Sequence, residues 1–375
     1  MADKLRVGVI FGGRSGEHQI SLLSARSVID AMDAAKYEIV PIAISQEGQW
    51  LAIGDARKAL EQGIANTPAT RAALLAEPND QRLVPLDALA STKVANGNRP
   101  GTAIDVIFPV LHGTFGEDGT VQGLLELAGI PYVGAGVAGS AVGMDKVLMK
   151  SIFAAHGFPQ VPYVAVLRTE WERDARQVEE RIEHDIGWPC FVKPANLGSS
   201  VGVSKAHNRA ELGKAIDEAA RYDRKIIVEK GVPNTRELEC AVLGNDQPEA
   251  SVVGEIVAAN EFYDYEAKYV KDDSKLFIPA DIPKGLAERI RDLSKRAFLA
   301  LDGSGLSRVD FLLNGKTNEL FLNEVNTMPG FTRISMYPKL WEASGVPYPR
   351  LIDRLIELAL ERHREKARNV YSFQR

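Results

Sequence analysis

Residues 307–326 read SRVDFLLNGKTNELFLNEVN. Asn314-Gly315 marks a turn between two strand-like runs. Side chains two apart on a strand share a face, so Arg308 and Asp310 point together, as do Glu324 and Asn326. A hairpin closing near 314–318 sets Asp310 roughly opposite Glu324, with Val309, Phe311 and Val325 on the other face. Two carboxylates and an amide make a hard-oxygen site suited to Mg²⁺, with Arg308 beside it to clamp phosphate oxygens. A solvated sheet face with cross-strand arginine–carboxylate pairs would carry the same spacing.

Upstream, Phe191 to Val203 takes Lys193 out of one strand and through Gly198-Ser199-Ser200-Val201-Gly202 into the next. A point charge next to backbone amides is how a flap covers nucleotide phosphates, although such loops are more often plain hairpin turns. This loop is neither GxxxxGK[ST] nor GxGxxG. Ile226 to Val232 reads as a buried strand whose end could present backbone groups to adenine, or as core strand alone. Strands are expected at 163–167, 190–194, 201–205 and 225–229, and helices near 170–186 and 208–221, an antiparallel-leaning α+β arrangement. A helix is expected at 284–301 and a terminal amphipathic helix from about 349.

Residues 5–134 alternate short apolar strands with helices, the rhythm of a parallel α/β sheet. Weak periodicity marks about 54–102 as an insertion, partly helical and without assignable chemistry. Gly12 to His18 follows the first strand, where an open parallel sheet binds ligands and a helix N-terminus favours anions. Glu17 there could equally be a first-turn acid, and His112 a hydrogen-bonded loop histidine.

At 375 residues, with 45% hydrophobic and 25% charged residues, the chain has room for two or three globular domains. A net charge of -5 supplies no global field for a nucleic-acid backbone. Cys190 and Cys240 lie in apolar stretches without CxxC spacing, which argues against a zinc site or a disulfide scaffold. No uncharged apolar run approaches the roughly 20 residues needed to cross a bilayer, and the N-terminal run is too short for a signal-peptide core. A cytoplasmic protein without nucleic-acid or membrane partners is expected.

Read in order, Gly12–Ser21, His112–Gly119, Met144–Lys146, Phe191–Lys205, Tyr263–Tyr269, Arg308–Asp310 and Asn323–Gly330 resemble the D-alanine:D-alanine ligases of the ATP-grasp superfamily. The resemblance implies an N-terminal α/β domain over 1–134, then two α+β domains over 135–232 and 233–375 that sandwich ATP. It implies that Lys146 and Lys193 hold phosphates, with Lys268 reaching the transferred phosphoryl group. Glu229, Lys230 and Val232 would surround adenine and Glu237 would take the ribose. Asp310, Glu324 and Asn326 would hold two Mg²⁺ ions, Mn²⁺ being a possible substitute. Glu17 would meet the ammonium of the first D-alanine and Ser335 the carboxylate of the second, with His112 nearby. Ser199, Tyr269 and Glu17 would tie a lid loop over the site, and Arg308 with the Gly330 backbone would stabilise an oxyanion. The tripeptide Asn234-Thr235-Arg236 departs from some members, which have a shorter connection before Glu237. A homodimer is expected for the family and from the prevalence of two-fold oligomers. Three other readings compete. Another ATP-grasp carboxylate:amine or carboxylate:hydroxyl ligase, the D-alanine:D-lactate type included, predicts a different lid sequence. A nucleotide-binding regulatory module would have a broken metal hairpin. An NAD-dependent oxidoreductase needs a glycine fingerprint that is missing after the first strand.

Overall fold

The structure is a computed structural model that describes residues 4–78, 80–87, 101–257 and 275–371. Its first sheet contains β1 (Leu5–Gly12), β2 (Tyr37–Ile44), β3 (Trp50–Ile53), β4 (Ala69–Leu74), β5 (Arg82–Pro85), β6 (Thr102–Ala103) and β7 (Val106–Val110). The order is β6-β5-β4-β3-β2-β1-β7. Only the β2-β1-β7 centre is parallel; the remaining strands add as an antiparallel meander. Among the described residues of 54–102, the helix Ala56–Gln62 and the short turn of helix Ile64–Asn66 match the partly helical expectation, while β4, β5 and β6 extend this sheet. These strands are short and built from small or polar residues such as Ala69, Thr70 and Arg71, so they leave little hydrophobic alternation to read.

β1 is buried on both faces, as a central parallel strand must be. Val7, Val9 and Phe11 join one core, and Ile10 joins another beneath the helix Thr120–Leu127. The helix His18–Ala31 is anchored through Ser21, whose hydroxyl accepts from Gly12 N at 2.7 Å and donates to the Val110 carbonyl. That bond pins the two strand ends that carry the Gly12–His18 and His112 loops.

The second sheet, order β10-β9-β11-β8, is antiparallel: β8 (Tyr163–Leu167), β9 (Cys190–Pro194), β10 (Ser204–Ala206) and β11 (Lys225–Lys230). Helices Ala175–Asp185 and Arg209–Tyr222 close a core of its own, with Val166, Ile182, Val192, Ile216 and Val228. The strand expected at 201–205 begins only at Ser204. Ser199 and Ser200 sit at φ of 50° and 58° and Gly202 at 69°, left-handed backbone that curls this segment into a turn.

The third sheet runs β14-β13-β12-β15-β16: β12 (Thr235–Gly244), β13 (Glu249–Val257), β14 (Lys275–Phe277), β15 (Gly305–Asn314) and β16 (Leu320–Asn326). All its pairings are antiparallel, and β15 and β16 put Asp310 opposite Glu324 and Arg308 opposite Asn326, with a register irregularity just after Asp310. One face packs on the helices Lys284–Ala300 and Lys146–Ala155.

The first and third sheets share a core. Val7, Val9 and Phe108 pack in one cluster with Leu243, Leu306, Tyr337 and, from the terminal helix Tyr348–Lys366, Leu355 and Leu358. Phe331 stands at its centre, its ring 6.0 Å from Phe108, 5.5 Å from Tyr337 and 5.7 Å from Tyr348. Polar ties reinforce it: Asp353 takes Lys36 Nζ at 2.7 Å and Tyr37 Oη at 2.8 Å. Arg362 lies 4.3 Å over the Tyr132 ring.

Leu355→Ala should cost about 2–5 kcal/mol, the usual range for emptying a fully buried leucine site. Hydrogen exchange should show β1, β7, β12 and β15 losing protection together, while β9 and β11, which rest on a separate core, change less. Equal loss in all three sheets would mean that the cores are not independent.

Candidate active site

A cleft of about 1070 Å³ lies between the second sheet and the open face of the third, reaching the loops after β1 and β7. Every residue proposed from the sequence lines it except Lys268 and Tyr269, which lie outside the described residues.

One wall is cationic. Lys146 opens the helix Lys146–Ala155, whose start is capped by Asp145 accepting from Val147 N and Leu148 N. Its ammonium donates to the Leu197 carbonyl at 2.8 Å and lies 3.5 Å from Glu324 Oε2. Lys193 on β9 reaches Glu229 Oε2 on β11 at 2.5 Å, and the other Glu229 oxygen lies 2.9 Å from Lys150 Nζ. Burial would favour a neutral Glu229, yet the two lysines hold its pKa down at about 2. Burial would likewise lower the Lys193 pKa, but the charges of Glu229, Glu324 and Glu237 outweigh it and keep the ammonium protonated. The Glu229 side chain is thus engaged by lysines, while Lys230 and Val232 continue the cleft wall beyond it. Lys150, a single cation in an apolar helical stretch, gave no signal of its partner in the sequence.

The opposite wall is the sheet face foreseen from 307–326. Arg308 donates from Nε to Asp310 Oδ1 at 2.8 Å and from Nη2 to Oδ2 at 2.7 Å. Asn326 Nδ2 donates to Asp310 Oδ2 at 2.9 Å. β12 adds Glu237 and, two residues on, Glu239, whose Oε2 lies 2.9 Å from Arg308 Nε. Alternation from Glu237 would have put Glu239 on this face, so it could have been found. Asp310, Glu324 and Asn326 offer oxygen donors on one surface, a set that fits a hard divalent cation.

The third part is built by the first sheet. Glu17 precedes the helix His18–Ala31, is 7% exposed, and its carboxylate makes no hydrogen bond among the described residues. Gly198 presses on it, since a Cβ at 198 would come within 2.7 Å of Glu17 Oε1. The hydrogen-bonded set expected of Glu17, Ser199 and Tyr269 includes Tyr269, which lies outside the described residues. His112 is buried; its Nε2 meets Ser24 Oγ at 3.0 Å and its Nδ1 the Met328 carbonyl at 3.1 Å. Burial lowers its pKa. Glu117, which had entered only as part of the His112–Gly119 match, accepts from Gly113 N at 2.8 Å and Met328 N at 3.1 Å. Burial and the neighbouring Glu17 charge push its pKa up to about 8. Ser335 binds Thr332 Oγ1 at 2.7 Å and sits beside Gly330.

Such a cleft can hold a polyanion against its lysines, a divalent cation against its carboxylates and an ammonium against Glu17. Residues 6–135 match the family described as D-ala D-ala ligase N-terminus, and residues 152–357 the D-ala D-ala ligase C-terminus. The D-alanine–D-alanine ligase of Heliobacterium modesticaldum is 52% identical over 98% of this chain and 97% of its own length. That of Geobacillus kaustophilus is 52% identical over 99% of each. Among solved structures, the D-alanine-D-alanine ligase from Coxiella burnetii superposes with a TM-score of 0.83 at 37% identity, covering 98% of this chain and 97% of that one. A D-Ala:D-Ser ligase from Enterococcus faecalis gives 0.83 at 33%, covering 95% and 100%.

Glu117 makes a pH prediction. With its native pKa raised from 4.5 to about 8, the folded protein holds a proton that the unfolded chain releases, so this group's contribution is full below 4.5 and is lost as pH rises through about 8. Glu117→Gln removes that titration at the cost of one backbone hydrogen bond. Urea unfolding should show the variant gaining on the wild type between about pH 5 and about pH 8. A constant gap would place the Glu117 pKa outside this window.

Proposed function

The chain belongs to the D-alanine–D-alanine ligase family, and on that premise we propose that it joins two D-alanine molecules into D-alanyl-D-alanine with ATP, releasing ADP and phosphate, for peptidoglycan precursor synthesis. The fold is that of the ATP-grasp ligases. The observation that carries the reading is Glu17, a buried carboxylate with no hydrogen-bond partner among the described residues, at one end of a cleft whose other end is lysine-rich. A buried charge of this kind calls for a counter-charge, and the ammonium of an amino acid supplies it.

The residues divide the work as follows. Glu17 holds the ammonium of the first D-alanine, so that its carboxylate faces the γ-phosphoryl group of ATP. A carboxylate oxygen attacks phosphorus, the bond to the ADP oxygen breaks, and D-alanyl phosphate forms. Lys146, Lys193 and Lys268 hold the phosphates, Lys230 and Val232 with Glu229 flank the adenine, and Glu237 takes the ribose. Two Mg²⁺ ions, or Mn²⁺ in their place, held by Asp310, Glu324 and Asn326, would neutralise phosphate charge. Ser335 takes the carboxylate of the second D-alanine, whose free amine attacks the acyl carbon. Arg308 and the Gly330 N–H stabilise the oxyanion until phosphate leaves. Ser199 and Tyr269 with Glu17 close the cover that keeps water from the acyl phosphate. His112 sets the Met328 backbone beside these groups. The same proposal includes boundaries at 134/135 and 232/233, a homodimer, and a cytoplasmic setting; no helix among the described residues is long and apolar enough to cross a membrane.

Phosphate release from ATP should require D-alanine and fail with L-alanine, D-lactate or D-serine alone, with the dipeptide identified by mass. Glu17→Gln should raise KM for D-alanine by about tenfold or more, the scale of a lost charge-assisted bond, and leave ATP binding nearly unchanged. A Glu17→Gln enzyme with wild-type KM for D-alanine would remove the ammonium assignment.

A further inference from the structure

Behind the phosphate-facing lysine lies a second cation that the proposed chemistry does not use. Lys150 is 1% exposed, on the inward face of the helix Lys146–Ala155, and it does not line the cleft. Lys146, one turn earlier on that face, does line it. Among the described residues the one carboxylate that Lys150 meets is Glu229, 2.9 Å from its ammonium, with the Tyr163 ring 5.9 Å away. Glu229 is itself 3% exposed, and its second oxygen is the one Lys193 reaches. Two ammonium groups therefore share one carboxylate in a nearly closed compartment.

Charges in such a compartment are expensive to leave uncompensated. A plain Lys193–Glu229 pair would be neutral and self-satisfied, with no electrostatic reason to attract an anion. Adding Lys150 from behind gives the trio a net charge of +1. Lys150 is enclosed, so the excess is available only where Lys193 meets the cleft, at a side chain that is 15% exposed.

We propose that Lys150 is a positioning residue for ATP: by holding one oxygen of Glu229 it fixes that carboxylate and keeps it from neutralising Lys193, so that Lys193 presents its charge to the phosphate chain. The inference rests on the ATP-binding reading of the cleft. It assigns Lys150 to the phosphates: the Glu229 carboxylate is taken up by the two lysines, so the adenine is left to the Glu229 backbone, Lys230 and Val232. Affinity for the nucleoside part should not depend on it.

The test is nucleotide binding by calorimetry without D-alanine, so that catalysis plays no part. Lys150→Met keeps the side-chain length and leaves a neutral Lys193–Glu229 pair, so the fold should persist. ATP and ADP should bind about tenfold more weakly, with adenosine changed by less than about threefold. KM for D-alanine should stay within about twofold. If Lys150→Met does not fold, Lys150→Gln, which can still donate to Glu229, is read by the same split. Equal loss for ATP and adenosine, or unchanged ATP affinity, would each overturn the proposal. Wild-type protein that binds no ATP would instead overturn the reading of the cleft on which it rests.

Discussion

Met328 is gripped on both sides of its Cα by the loop after β7. Glu117 takes its N–H and His112 meets its carbonyl, each at 3.1 Å. This clasp adds to the shared core a polar tie between the first sheet and the third, at the rim of the cleft. Met328 is two residues from Asn326, the end of β16, and two from Gly330, after which Phe331 enters the shared aromatic core. Because the clasp is made to backbone atoms, with His112 and Met328 buried and Glu117 half-buried, it is indifferent to the methionine side chain and sensitive to the two residues that hold it. The Glu17 pocket and the Asp310–Glu324 surface lie on different sheets, and the clasp is one of the ties that make the distance between them a property of the fold.

Around that frame the buried charges are grouped in unequal numbers. Two lysines flank one glutamate in the Lys150–Glu229–Lys193 trio. Two carboxylates flank one guanidinium in Glu239–Arg308–Asp310. Two acids, Glu17 and Glu117, sit close enough that one raises the pKa of the other. Each grouping has a local sign, and each sign suits a different part of the ligand set: positive toward phosphates, negative toward a divalent cation, negative toward an ammonium. A structure optimised for stability alone would pair these groups evenly, since uncompensated buried charge is destabilising.

The hairpin of β15 and β16 was legible because two local rules coincide in it. Period-2 alternation puts Arg308, Asp310, Glu324 and Asn326 on one face, and Asn314-Gly315 fixes the register that sets Asp310 opposite Glu324. The central β1 was legible from its apolar run. What escaped is physically different. β4 to β6 owe their place to pairing with a sheet already formed, and their Ala, Thr and Arg residues advertise nothing locally. The 201–203 segment looked extended by composition, but Ser199 and Ser200 take left-handed backbone, which serine rarely advertises. Lys150 and Glu117 act through partners 79 and 211 positions away, Glu229 and the Met328 backbone. No local pattern encodes such a partner, and the Glu117 hydrogen bond does not involve the partner's side chain.

The loop after β9 joins the two ends of the cleft. Lys146 donates to the carbonyl of Leu197, and the next residue, Gly198, lies against Glu17 so closely that a side chain there would require the Glu17 carboxylate to shift. The lysine wall and the ammonium acceptor therefore touch the same short segment on adjacent residues. Left-handed Ser199, Ser200 and Gly202 turn that segment back toward β10, which keeps it over the cleft and out of the sheet. Gly198 is thus set by close approach and Gly202 by backbone conformation, two different reasons for glycine in one loop. A loop in contact with both ends cannot adjust to phosphates without altering what surrounds Glu17. The geometry thereby links the lysine wall to the Glu17 end of the cleft, the two places that the proposed reaction assigns to the nucleotide and to the amino acid.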